Sequence, residues 1–177
     1  MEIEVLRIGQ RVVRDDRVTT HVALVSRALG ASKIYMNEIN PEIKTTLDKV
    51  KKTWGGDFEI EYFEKWKEIV KKKKVRGTKI VHLTMYGENI NTITTELQKE
   101  KSLLIIVGAE KVPREAYELA DYNISIGNQP HSEISALAVL LDRIQQGKQF
   151  EKKFSGAARI ISPMKKGKKV EVVKTRD

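Results

Sequence analysis

Two apolar segments in the C-terminal half of the chain each end in a glycine that is followed by a polar loop. Ser-Leu-Leu-Ile-Ile-Val runs into Gly108, and Asn-Ile-Ser-Ile runs into Gly127. Ligands of open α/β sheets bind beyond the carboxyl ends of the strands, where glycine lets the backbone approach them closely. Residues 108–112 and 126–133 are therefore the best candidate for a small-molecule site, and two ordinary strand-to-helix turns are the alternative.

Strand and helix patterns alternate along the rest of the chain. Short apolar or alternating runs predict further strands at residues 2–8, 32–36, 58–63 and 79–84. Such alternation predicts an α/β fold with a mainly parallel sheet flanked by helices. We expect residues 1–147 to form this domain and residues 148–177 to form a separate extension, because the composition changes after Gly147.

The helix boundaries follow from capping residues. Thr19 or Thr20 is expected to cap the first helix. Asn40 and Pro41 form a strong start signal for the second. Residues 85–89 are expected to connect the strand at 79–84 to the next helix. The helix that begins at Ser132 is apolar nearly all round, which suits a buried core or a dimer interface.

The composition argues against several classes of site. The 177 residues contain no cysteine, which rules out disulfides and thiolate zinc sites. The chain has no glycine-rich dinucleotide or phosphate-loop fingerprint, and His21, His82 and His131 lie far apart in the sequence. It has no signal-peptide pattern and no apolar run near the roughly 20 residues that span a bilayer. We therefore expect a soluble cytoplasmic protein that needs neither a membrane nor a metal.

The positive charge is concentrated at the C-terminus. The chain has a formal net charge of +9, and residues 148–177 hold ten Lys and Arg against three Asp and Glu. Lys165, Lys166, Lys168 and Lys169 surround Gly167 between two strand-like segments, which predicts a β-hairpin with a basic tip. A basic extension on a nearly neutral body indicates a polyanionic partner such as nucleic acid. A solubilising surface or a high-temperature lysine bias is the alternative.

Arginines form a second basic group near the N-terminus. Arg11, Arg14 and Arg17 lie in a polar loop, and Arg27 lies among apolar residues of the following helix. Arginine binds phosphate through two parallel hydrogen bonds, so this group suits a nucleotide. Pairing of the loop arginines with Asp15 and Asp16 is the simpler alternative.

Three motifs in order resemble those of one enzyme family. The first segment, residues 21–30, reads His-Val-Ala-Leu-Val-Ser-Arg-Ala-Leu-Gly, and the second, residues 106–112, reads Ile-Val-Gly-Ala-Glu-Lys-Val. The third, residues 126–141, reads Ile-Gly-Asn-Gln-Pro-His-Ser-Glu-Ile-Ser-Ala-Leu-Ala-Val-Leu-Leu. In this order they resemble the three motifs of SPOUT methyltransferases that modify ribose 2′-hydroxyls. With the flanking residues 6–21 and 83–90, the chain resembles the archaeal family that methylates cytidine 56 of tRNA. The resemblance spans roughly residues 3–146.

The resemblance implies a C-terminal deep trefoil knot at about residues 79–146, S-adenosylmethionine as the cofactor, tRNA as the substrate and a homodimer paired through the knot helices. It assigns a catalytic role to Arg27, which would orient and stabilise the ribose oxygen. It implies cofactor contacts from the following residues: Leu83, Gly108, Ala109, Glu110, Lys111, Val112, Ile126, Gly127, Asn128, Gln129, Pro130, His131, Ser132 and Glu133. RNA contacts are expected from the two basic groups: Arg11, Arg14, Arg17, Lys165, Lys166, Lys168 and Lys169.

Two positions depart from the family pattern. The third motif of relatives commonly reads Ser-x-Asn-x-Ser, whereas His131 and Glu133 stand at the first Ser and the Asn here. The alternatives are an enzyme of the same fold that methylates another RNA position or a base, and a non-catalytic RNA-binding protein.

Overall fold

Strands and helices alternate as the sequence predicts. The computed structural model describes residues 1–9, 15–37, 40–109 and 111–173. The first six strands are β1 Glu2–Ile8, β2 Lys33–Met36, β3 Glu59–Tyr62, β4 Lys79–Asn89, β5 Ser102–Gly108 and β6 Tyr122–Ser125. The α-helices are α1 Asp16–Ala28, α2 Pro41–Trp54, α3 Trp66–Val75, α4 Ile90–Leu97, α5 Arg114–Leu119 and α6 Glu133–Gln145.

These six strands form one sheet in the order β3-β2-β1-β5-β4-β6, and every pairing is parallel. β1 and β5 pair along their whole length, from Glu2 opposite Ser102 to Ile8 opposite Gly108. Because the strands are parallel, the carboxyl ends of β5, β4 and β6 lie side by side at one edge. The prediction of an α/β fold with a mainly parallel sheet flanked by helices is confirmed.

Helices cover both faces of the sheet. One apolar cluster joins the sheet to α1, α2, α4 and α6, with Val22 and Leu137 among its fully buried members. A smaller cluster on the other face includes Val70 of α3 and Ala116 of α5. Since β1 lies in the middle of the sheet and is covered on both faces, even the charged Arg7 is completely buried.

β4 is longer than the sequence predicts. It continues to Asn89, although the sequence predicts a connection at residues 85–89. Its register with β6 shifts between Leu83 and Glu88, and both of these residues pair with Ile124. The residues between them bulge out of the ladder at the carboxyl edge of the sheet, which makes them available to a site there.

α1 begins one turn earlier than the predicted threonine cap. Its first residue is Asp16, and the Thr20 hydroxyl donates to the Asp16 carbonyl oxygen at 2.9 Å inside the helix. The start of α2 is as predicted, with the Asn40 side chain accepting a hydrogen bond from the Glu42 N–H at 2.9 Å. Both helices end at glycines with positive φ, Gly30 at 96° and Gly55 at 74°.

The residues after α6 form a 3-10 turn, Lys148–Glu151, and two antiparallel strands, β7 Arg159–Ser162 and β8 Lys169–Val172. The pairing runs from Arg159 opposite Val172 to Ser162 opposite Lys169. Within the described ranges, no helix is long and apolar enough to cross a bilayer. The same ranges contain no group of three His, Asp or Glu side chains that could hold a metal ion.

Candidate functional site

A cavity of about 370 Å³ opens at the carboxyl ends of β4, β5 and β6. This volume lies within the usual range for small-molecule sites, roughly 300–1,000 Å³. The lining comes from the end of β4, the loops after β5 and β6, and the first turn of α6: His82, Leu83, Thr84, Met85, Tyr86, Gly108, Ala109, Val112, Tyr117, Ile124, Ile126, Gln129, Pro130, His131, Glu133 and Ala136. The walls are mostly apolar, with a few polar groups, as a nucleoside requires.

Many of the residues predicted to contact a cofactor line this cavity. They are Leu83, Gly108, Ala109, Val112, Ile126, Gln129, Pro130, His131 and Glu133. Glu110 lies outside the described residues. Lys111, Gly127, Asn128 and Ser132 belong to the same two loops but do not line the cavity.

Two of these loop residues, Asn128 and Ser132, make hydrogen bonds that support the residues lining the cavity. Asn128 donates from Nδ2 to the Met85 carbonyl oxygen at 2.7 Å, which ties the loop after β6 to the bulge of β4. Ser132 caps α6, because its Oγ accepts a hydrogen bond from the Ile134 N–H at 3.2 Å. Their polar contacts therefore fix the shape of the site.

Sequence reasoning missed seven lining residues: His82, Thr84, Met85, Tyr86, Tyr117, Ile124 and Ala136. Three of them lie in or next to the part of β4 that the sequence marks as a connection. Gly87 is the sequence feature that could have indicated the lining residues of β4. A Cβ at this position would lie 2.4 Å from the Asn123 carbonyl carbon and oxygen, so the backbone of β4 passes unusually close to β6.

His82 is a completely buried imidazole beside the cavity. Its Nδ1 lies 2.9 Å from Asn123 Oδ1, and Asn123 Nδ2 donates to the Tyr117 carbonyl oxygen at 3.0 Å. Asn123 Oδ1 is then an acceptor, so Nδ1 carries the proton and Nε2 is left as an acceptor. Burial lowers the pKa of His82, which keeps the ring neutral. Nε2 has no hydrogen-bond partner among the described residues.

The neutral state of His82 should make stability depend on pH. The pKa of His82 is lowered in the folded protein from its ordinary value of 6.5, so the unfolded chain binds the proton more readily below that pH. Stability is therefore present above pH 6.5 and is lost as the pH falls towards the folded pKa. Between pH 6.5 and 5.5 the wild-type free energy of unfolding should fall by up to about 1 kcal/mol more than that of His82→Asn, because the unfolded histidine is already half protonated at pH 6.5.

Urea denaturation at pH 7.5, 6.5 and 5.5 measures this difference. Asparagine is the chosen replacement because its Nδ2 can donate to Asn123 in place of the imidazole Nδ1. His21→Gln is the matched control, since His21 is exposed on α1. The role of His82 is refuted if His82→Asn loses stability with pH as steeply as the wild type does.

A partly buried ion pair joins the sheet to the cavity. Arg7 Nη2 donates to Glu133 Oε1 at 3.1 Å, and the two side chains are 0% and 32% exposed. Glu133 is the first residue of α6, where a carboxylate also interacts favourably with the helix dipole. Among the described lining residues, Glu133 is the one with an acidic side chain, and its carboxylate is paired with Arg7.

Arg27 lies at the other end of the domain from the cavity. α6 begins at the cavity with Glu133, and its last residue, Gln145, donates from Nε2 to the Leu29 carbonyl oxygen at 2.7 Å. A helix of 13 residues is about 20 Å long. Arg27, near the end of α1, does not line the cavity. Its catalytic assignment stays a prediction, and within one chain Arg27 cannot contact a ligand in this cavity.

The predicted RNA contacts fall in two regions. Arg17 is exposed in the first turn of α1, and Arg11 and Arg14 lie outside the described residues. Gly9, the last described residue before them, lies next to the cavity, because a Cβ built on it would lie 3.6 Å from Ala109 Cβ.

The lysines of the hairpin form the second region. Lys165, Lys166, Lys168 and Lys169 are all exposed. Lys169 pairs with Glu171 at 3.0 Å, which leaves the lysines of the turn as the basic tip.

Comparisons with known proteins agree on one family. The model of the family described as "tRNA ribose 2′-O-methyltransferase, aTrm56" matches residues 54–171. A tRNA (cytidine(56)-2′-O)-methyltransferase from Nitrosopumilus maritimus is 70% identical over 177 residues, which is 100% of both chains. A protein of the same name from Cenarchaeum symbiosum is 58% identical over 96% of this chain and 97% of its own.

Solved structures share the fold. An AdoMet-bound rRNA methyltransferase from Sinorhizobium meliloti has a TM-score of 0.63 at 19% identity, covering 82% of this chain and 56% of that one. A TrmH/SpoU tRNA-modifying enzyme from A. aeolicus has a TM-score of 0.59 at 18% identity, covering 85% of this chain and 76% of that one. At these identities the likeness concerns the fold alone. The family match and the full-length relatives go further, and this chain belongs to the tRNA ribose 2′-O-methyltransferase family.

Proposed function

We propose that this protein transfers a methyl group from S-adenosylmethionine to the ribose 2′-oxygen of cytidine 56 in tRNA. The observation that carries the proposal is the 70% identity, over the whole of both chains, to a relative named for this reaction. The cavity at the carboxyl edge of the sheet supplies a suitable place for the cofactor.

The described residues fit the proposed cofactor. Leu83, Ile124 and Ile126 offer apolar walls for the adenine ring, and His82 Nε2 is a buried acceptor that lacks a partner among the described residues. Glu133 offers a carboxylate towards a positively charged ligand. When bound, the cofactor supplies a methyl group on a sulfonium. The residues of the cavity then have to bind and orient it, because such a transfer depends on in-line alignment with the attacking oxygen.

The Arg7–Glu133 pair and the Asn128 hydrogen bond keep the cavity in shape. Arg7 prevents the Glu133 side chain from turning away, and Asn128 fixes the loop after β6 against Met85. Such preorganisation lowers the entropy that the bound cofactor and ribose must lose before reaction. Arg17 and the lysines of the hairpin tip are proposed to bind tRNA phosphates.

Three further features belong to this proposal. A trefoil knot at about residues 79–146 is proposed from the family resemblance, and the strand order β5-β4-β6 is compatible with it. A homodimer is supported by Val139, an apolar residue of α6 that stays 37% exposed. Because Arg27 cannot contact the cavity of its own chain, it would reach a ribose only through the second protomer of such a dimer. A cytoplasmic location is proposed as well, since tRNA is the proposed substrate.

Methyl transfer to tRNA transcripts tests the proposal. With cofactor labelled in the methyl group, we expect label to enter a transcript with an ordinary ribose at cytidine 56. A transcript carrying 2′-deoxycytidine at position 56 alone should take up none. Equal labelling of the two transcripts would place the reaction at another position or on a base. Binding of tRNA without any cofactor uptake would identify a non-catalytic RNA-binding protein.

A further inference from the structure

The C-terminal extension lies against the methyltransferase domain at two glycines. The Gly56 N–H donates to the Ser155 carbonyl oxygen at 2.7 Å. A Cβ on Gly55 would lie 2.4 Å from that same oxygen and 2.7 Å from the Ala157 nitrogen. Because these neighbours are backbone atoms, they cannot move aside as a flexible side chain could. The two glycines after α2 therefore provide the space in which the extension lies.

Phe154 and Arg27 meet beside these glycines. The Arg27 guanidinium carbon lies 4.7 Å from the centroid of the Phe154 ring, within the distance of a cation–π contact. Arg27 Nη2 also donates to the Gly55 carbonyl oxygen at 2.6 Å. A Cβ on Gly56 would lie 2.8 Å from Phe154 Cδ1, so the ring is packed against the glycine as well. Arg27 thus connects α1, the end of α2 and the extension.

The burial of Arg27 agrees with this connecting role. The residue is 8% exposed, and burial lowers the pKa of its guanidinium. Lys152 adds a second cation 5.9 Å from the Phe154 ring and donates to the Gly30 carbonyl oxygen at 3.5 Å. Two cations, Arg27 and Lys152, therefore lie near the Phe154 ring.

The hairpin that follows the segment containing Phe154 has few buried side chains. Ile160, Ile161 and Val172 are 52%, 60% and 73% exposed. An isolated two-stranded hairpin is marginally stable in water, and it has no fixed direction unless it is attached to a larger body. The position of its lysines relative to the domain therefore depends on the segment that contains Phe154.

We propose that Arg27 and Phe154 form an anchor that fixes the C-terminal extension and presents the lysines of the hairpin tip to tRNA phosphates. The inference rests on the proposed function, since it takes tRNA as the polyanion. Phe154 is the positioning residue in this arrangement: it acts through the hairpin, and the cavity of its own chain lies at the opposite end of the domain.

Replacing Phe154 by leucine tests the anchor, because leucine keeps an apolar side chain and removes the ring. In steady-state methylation of tRNA, we expect KM for tRNA to rise about five- to tenfold while kcat and the Kd for S-adenosylmethionine stay unchanged. The slope of log affinity for tRNA against log salt should become shallower by about 1 to 3, since fewer phosphates are neutralised. Phe154→Tyr keeps the ring and should restore the wild-type KM.

Two further measurements test whether Phe154 acts through the position of the hairpin lysines. The first uses a triple variant in which three lysines of the hairpin tip are replaced: Lys165→Gln, Lys166→Gln and Lys168→Gln. Adding Phe154→Leu to this variant should not raise its KM for tRNA any further, because the tip no longer binds phosphate. Trypsin should cleave the extension faster in Phe154→Leu than in the wild type, and this readout needs no RNA.

If wild-type protein methylates no tRNA but the trypsin difference is present, the anchor stands and the proposed function fails. Wild-type KM together with wild-type cleavage in Phe154→Leu would overturn the anchor. A fall in kcat at constant KM would overturn it as well, because Phe154 would then act on the chemistry through Arg27 and not on tRNA binding through the hairpin.

Discussion

Replacing Glu133 by leucine is expected to lower the free energy of unfolding by about 2–3 kcal/mol and to weaken cofactor binding in the same variant. The change leaves the completely buried Arg7 guanidinium without the carboxylate that lies 3.1 Å from its Nη2. Removing one member of a fully buried ion pair typically costs about 3–5 kcal/mol, and we expect a smaller cost here because Glu133 is partly exposed. Urea denaturation measures the first effect, and calorimetric titration with S-adenosylmethionine measures the second.

A series of related variants identifies the cause of this loss. Glu133→Gln keeps an oxygen acceptor and should fall between the wild type and the leucine variant. Arg7→Met combined with Glu133→Leu should recover part of the stability, because that double variant no longer buries the arginine charge. Glu118→Leu is the control: it breaks an exposed pair with Arg114 of 2.7 Å and should cost less than about 1 kcal/mol. If the double variant were no more stable than Glu133→Leu, lost packing would be the cause and the charge would be irrelevant.

The glycine-ended strands were the part of the site that the sequence predicted well. Gly108 and Gly127 follow short apolar runs whose length and composition are typical of buried parallel strands. The position of ligands at the carboxyl edge then follows from the topology of such sheets. These signals are local in the sequence, so the loops of the cavity could be located before any contact was known.

The far wall of the cavity could not be predicted in the same way. Met-Tyr-Gly-Glu-Asn at residues 85–89 has the composition of a turn, and its extended conformation comes from pairing with β6. That pairing depends on a neighbour more than 30 residues further along the chain. The Arg7–Glu133 pair is similar, since its members are 126 positions apart. Each residue alone gave no indication of its partner.

Arg27 illustrates a different difficulty. A motif identifies a residue but does not say which end of its helix faces the ligand. The structure places Arg27 at the second-last position of α1, against Gly55 and Phe154, while the cavity lies at the start of α6. The carboxyl end of a helix that follows a strand and precedes a parallel one must lie at the amino edge of the sheet. The topology therefore separates this arginine from the cavity of its own chain.

Replacing Gly87 by alanine is expected to lower the stability and to distort the cavity proposed for the cofactor. A Cβ at this position would lie 2.4 Å from the Asn123 carbonyl carbon and oxygen and 2.5 Å from the Ile124 nitrogen. These are backbone atoms of β6, so β4 and β6 would have to separate at the bulge. We expect the free energy of unfolding to fall by about 3 kcal/mol, the upper end of ordinary overpacking costs. Because Met85 and Tyr86 form the wall next to this contact, S-adenosylmethionine affinity should fall by roughly tenfold or more, equivalent to about 1.4 kcal/mol.

Gly77→Asn is the control for this change. Gly77 has a φ of 80°, which asparagine tolerates, and a Cβ there would meet no described atom within 4 Å. We expect its effect on stability to stay below about 1 kcal/mol and its cofactor affinity to match the wild type. Denaturation and calorimetric titration of both variants decide between two interpretations of the bulge. A Gly87→Ala protein that lost stability but kept its affinity would mean that the end of β4 supports the sheet without shaping the cavity. Loss of both quantities together, with Gly77→Asn unchanged, is the result expected if the close passage of β4 over β6 builds the cofactor wall.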